Sequence, residues 1–86
     1  MMLPTIHKNG TSKDTLIEQY MEASNALYSA ILAMQAAAPN ARDYYPQGDA
    51  AFLSALEEYR AHATALQKTR MWLESLIEHC DTAGEE

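Results

Sequence analysis

Three groups of residues in this chain are of types that bind or react. The first is the run His7-Lys8-Asn9-Gly10-Thr11-Ser12-Lys13. Hydroxyls, two ammonium groups and the free backbone N–H groups of a starting helix are the ingredients of an anion site. A turn at Asn9-Gly10 with Thr11 as the helix cap uses the same segment, but it needs neither Lys8 nor Lys13. The second group is Pro39-Asn40-Ala41-Arg42-Asp43-Tyr44-Tyr45-Pro46-Gln47-Gly48. A helix–helix link needs only about two to eight residues. Arg42, Tyr44 and Tyr45 instead offer a forked cation and two flat rings, suited to stacking on a base or gripping a partner chain. A loop folded back so that its tyrosines cover the end of a bundle would use them equally well. The third is Arg70, a charge inside an apolar line. It must reach water, pair with an acid such as Glu74 one turn on, or meet a group across an interface.

Other chemistry finds no template. His7, His62 and His79 lack the i,i+4 spacing of a helical metal site, and Cys80 is the single cysteine, so no metal is expected. His79 and Cys80, being adjacent, point about 100° apart on a helix and do not form a thiol–imidazole pair. Glu18 and Glu22 share a helix face and read as a solvated stripe. There is no phosphate-binding glycine loop, dinucleotide fingerprint or hydrolase serine elbow. Neither a catalytic residue nor a cofactor is expected, and the chain does not read as an enzyme.

The elements that must position these groups are cut out by proline and glycine. Pro4 and Gly10, then Pro39, Pro46 and Gly48, then Gly84 bound two long breaker-free runs with helical periodicity. The expected organisation is all-α: an extended arm over 1–11, a helix over 12–38, a loop over 39–48, a longer helix over 49–80 and an acidic tail over 81–86. Thr11 or Ser12 opens the first helix; with Thr11 as cap, Asp14 completes a capping-box-like pair. Asp49 reads as the cap of the second. Leu16, Tyr20, Ala23, Leu27, Ala30, Met34 and Ala37 make one apolar seam of the first helix. Ile17, Met21, Ser24, Tyr28, Ile31 and Ala38 make another beside it. The second helix has one seam: Phe52, Leu56, Tyr59, Ala63, Leu66, Arg70, Leu73, Ile77 and Cys80.

Helices of about 39 and 47 Å, at ~1.5 Å per residue, laid antiparallel make a rod only two helices thick. Such a hairpin buries one stripe per helix. At about 25 cal/mol per Å² that burial struggles to offset the ordering entropy of the chain. Self-association into a helical-bundle homo-oligomer is therefore expected, with Ile17, Met21, Tyr28, Ile31 and Arg70 at the interface. The arm and the loop fall at opposite ends of one hairpin, so only another subunit could bring them together.

Length and charge narrow the classes further. Eighty-six residues make one domain, since a second core needs roughly 50 of its own. Six basic against twelve acidic side chains give a net charge of −6, which argues against a general nucleic-acid or anionic-membrane binder. It is also a modest field for an acidic mimic of DNA. Nineteen residues from Ala23 to Ala41 carry no charge, yet Asn25, Gln35 and Pro39 among them argue against a membrane span. One cysteine and an amino terminus without an apolar leader core fit a cytoplasmic protein.

At the arm and the loop the chain resembles small uncharacterised proteins encoded by bacteriophages and prophages. These carry an amino-terminal Thr-Ile-His-x-Asn-Gly-Thr-Ser stretch and a central Ala-Arg-Asp-Tyr-Tyr-Pro segment between helices. The matching positions are Thr5 to Ser12 and Ala41 to Pro46. The resemblance implies a cytoplasmic, non-enzymatic phage accessory protein. Together with the residues above it suggests a binder that counters host defence, by sequestering a small anionic nucleotide or by masking a host protein. Thr11, Ser12 and Lys13 would hold phosphate, with His7, Asn9 and Gly10 beside them in the ligand site and Arg42, Tyr44 and Tyr45 of another subunit on the base. The competing expectation is a structural or assembly module of a phage particle.

Overall fold

A computed structural model describes residues 1–84. The tail expected at Glu85 and Glu86 lies outside the described residues. The chain is all-helical, with α1 over Lys13–Ala36, a single turn α2 over Ala41–Tyr44, a 3-10 turn over Tyr45–Gln47 and α3 over Asp49–Thr82. The long helices pack on each other. Lys13 meets Ala83 and Ser24 meets Arg70. One number rises as the other falls, so the two run in opposite directions.

Local chemistry explains the boundaries. Ser12, not Thr11, caps α1: its Oγ accepts from the Thr15 N–H at 3.2 Å. Its hydroxyl also donates to Thr15 Oγ1 at 2.8 Å, which takes the place of the expected Thr11–Asp14 pair. The helix stops at Ala36, two residues short of the expected end. Pro39 disfavours helical backbone at Ala38, and the last turn tightens through Ala37 N–H to Met34 O at 2.9 Å. The loop is not open chain: Asn40 Oδ1 accepts from the Arg42 N–H at 3.1 Å and starts α2.

Gly48, rather than Asp49, is the boundary residue of α3. Its φ of 103° and ψ of 163° are open to glycine alone, and no side chain caps this helix start. Gly48→Ala is accordingly expected to cost about 1–3 kcal/mol, read from the midpoint of urea unfolding. At its far end α3 runs to Thr82, so Asp81 and Thr82 belong to the helix instead of the tail.

The α3 seam behaves as its spacing requires: all nine residues from Phe52 to Cys80 are buried or half-buried, joined by Leu76. On α1 the outcome differs. Ala23, Ala30 and Ala37 of the first seam are exposed, while Ser24 and Ile31 of the second are buried. The helix turns toward α3 the line Ile17, Tyr20, Ser24, Leu27, Ile31 and Met34, drawn from both seams. The reason is volume. Facing α3 squarely with the first seam would bury Ala30 where this line buries Ile31.

The core is thickest near the carboxyl end of α3, where Leu73, Leu76 and Cys80 are buried. The arm contributes to it. Ile6 is 5% exposed, and His79 Nε2 donates to the Pro4 carbonyl at 2.7 Å. The arm is thus a fastened strap instead of a free extension.

The molecule is a rod of 61 × 21 × 17 Å with a radius of gyration of 18.8 Å. A compact chain of this length would have about 12 Å. Its surface of 6434 Å² also exceeds the roughly 5,100 Å² of a compact monomer of this mass.

Candidate functional site

The arm makes a tight turn, with the Gly10 N–H donating to the His7 carbonyl at 3.0 Å. The imidazole folds over Gly10 so closely that a β-carbon there would lie 2.7 Å from His7 Nε2. This turn and the start of α1 bound an open recess of about 500 Å³, lined among others by His7, Lys8, Gly10, Ser12 and Lys13. Four of these, His7, Gly10, Ser12 and Lys13, are among the six ligand residues expected in the arm. Asn9 and Thr11 are exposed and do not line it.

The donors in this recess already have work. The Ser12 hydroxyl is engaged with Thr15, as described. Lys13 Nζ donates to the Ala83 carbonyl at 3.4 Å, tying the start of α1 to the end of α3. That carbonyl sits at the negative end of the longest helix, where a cation is favourable. Asp14 lines the same recess and opposes an anion there. Lys8 and His7 are the basic side chains left facing it.

At the opposite end, Ala41, Arg42, Tyr45, Gly48, Asp49 and Phe52 line a second recess of about 390 Å³. The adjacent tyrosines part company here. Tyr44 is half-buried and does not line the recess, whereas Tyr45 is 82% exposed at its edge. One flat ring, the Arg42 guanidinium and the Phe52 wall remain available to a planar partner, beside a helix start that lacks a side-chain cap. The two recesses are separated by the length of α1, about 36 Å at 1.5 Å per residue, so within one chain they do not combine.

Arg70 reaches across to α1 in place of solvent. Its Nε donates to Ser24 Oγ at 3.3 Å, and its guanidinium carbon lies 4.6 Å from the centroid of the Tyr28 ring. Glu74, at 4.0 Å, is a weaker and more exposed partner than the sequence suggested. The buried Ser24 exists to meet this cation; a hydroxyl in an apolar seam opposite an arginine is the signal that could have paired them. Of the expected interface residues, Ile31 is consumed by the core of its own chain and Ile17 is half-buried. Met21 and Tyr28 remain about half exposed, joined by Leu32.

Among the described residues, no three His, Cys, Asp or Glu side chains converge as metal ligands do. None of the described helices is long and apolar enough to cross a membrane. No protein-family model, no curated protein and no solved structure matches this chain.

Proposed function

We propose that this chain is a phage-type accessory protein that acts by binding, not catalysis, in the cytoplasm of a host cell. It works as a helical-bundle homo-oligomer and counters host defence by sequestering a small anionic nucleotide. The observation that carries the ligand class is Tyr45: a tyrosine ring 82% in water, at the mouth of a recess shared with Arg42 and Phe52. Folding supplies no reason to present it there, and base stacking does. The phosphate is met by Arg42, with Lys8 and His7 of another subunit as the arm's contribution against the opposing charge of Asp49.

Calorimetric titration with cyclic dinucleotides, cyclic mononucleotides and ADP-ribose tests this. One of these classes is expected to bind, and Tyr45→Ala to weaken that binding by about 5- to 150-fold, the equivalent of 1–3 kcal/mol of base–aromatic stacking. Silence from all three with a folded protein removes the nucleotide and leaves masking of a host protein as the binding mode.

The rod shape and its surplus surface favour a second reading, a structural module of a phage particle. Light scattering separates the two: a sequestering protein forms a closed assembly of fixed mass, and a structural module grows with concentration.

A further inference from the structure

The geometry points to one face of α1, carrying Met21, Tyr28 and Leu32, as the surface on which a second copy of this chain docks about a twofold axis. This rests on the assembly half of the proposed function and names its interface. Residues 21, 28 and 32 are spaced by seven and four, so they line one side of the helix over about 16 Å. Each is roughly half exposed although large and apolar. Met71 and Trp72 on α3 are exposed too, but neighbours in sequence point about 100° apart and form no stripe. Leu53 stands alone, 18 positions away from Met71.

Two observations commit the face to a second copy. The first is area. The chain exposes about 1,300 Å² more than a compact monomer of its mass, and a stable pair removes about 800 Å² or more from each partner. The second is charge. A chain of net charge −6 repels its own copy through most of its surface. The stretch from Ala23 to Ala41 is its longest without a charged residue, and Tyr28 and Leu32 sit in it, while Met21 lies outside it next to Glu22. Arg70 stacks on Tyr28 at the edge of this face, so the patch combines the tyrosine and arginine that dominate interface energetics with an aliphatic surround.

In a twofold contact the residues nearest the axis meet their own copies. Asn25, four before Ser29 and between Met21 and Tyr28 on the same exposed side, lies near the centre of the patch. The test is sedimentation equilibrium at micromolar concentration with far-UV circular dichroism, on the full chain, on Met21→Glu/Leu32→Glu and on Met71→Glu. The expected result is at least twice 9.6 kDa for the full chain and Met71→Glu, and 9.6 kDa with helicity kept for the double variant. A full chain of 9.6 kDa overturns the assembly reading and this inference together. A double variant as large as the full chain overturns the face alone. Should the double variant lose its helicity, Asn25→Cys decides: rapid disulfide-linked pairs, absent from Ala61→Cys, support the face. Equal linkage of the two overturns it, since Cys80 is 0% exposed and does not compete.

Discussion

Replacing Ile6 by alanine is expected to unfasten the amino-terminal strap and raise the alkylation rate of Cys80 at least about 30-fold. Ile6 is buried and lines a crevice with His79 and Ala83, one turn beyond Cys80. Removing a buried isoleucine side chain costs about 2–5 kcal/mol, and about 1.4 kcal/mol is tenfold in an opening equilibrium. The thiol is fully shielded, so it reacts through opened states. Iodoacetamide labelling followed by mass spectrometry reads the rate. An unchanged rate, with the helices intact, would mean that the strap contributes nothing to the protection of that end.

Leu76→Ala carries the other large effect. Leu76 is the most buried leucine of the chain, at the thickest part of a small core. About 2–5 kcal/mol is expected, against a total of roughly 4–13 kcal/mol for a domain of this length. Leu53→Ala, at an exposed position of the same helix, is expected to stay within about 0.5 kcal/mol. Urea unfolding of both at one protein concentration makes the comparison, because association adds concentration-dependent stability.

How far these features were legible depends on how many solutions each stretch of sequence allows. The α3 seam had one apolar line with charges opposite, and a single line leaves one way to face a partner. On α1 two apolar lines lie side by side and the charged face ends at Glu22, so periodicity alone left the helix free to rotate. Its rotation was decided by what lay opposite, including the Arg70 that needed Ser24. Ile6 escaped notice because one apolar residue between Pro4 and Asn9-Gly10 has no period. Of the two caps expected for α1 Ser12 is the one used, and the boundary residue of α3 lies one before the expected Asp49. Ser12 competed with Thr11 for one role, and the positive φ of Gly48 put the turn before Asp49. At the loop, residue types pointed to exposed aromatics, but only backbone geometry could say that consecutive tyrosines diverge and that Tyr45 alone is presented.

The steady four-three cadence of α3 has a consequence for the distance between the two ends. Phe52, Tyr59, Leu66, Leu73 and Cys80 recur every seven residues and are all buried or half-buried, so the same face of α3 returns after each pair of helical turns. The span is therefore counted in whole heptads. A sequence with one more in each long helix would hold its ends about 10 Å further apart and leave both end structures as they are. The molecule is built as a ruler, its graduations in α3 and its two recesses at the tips.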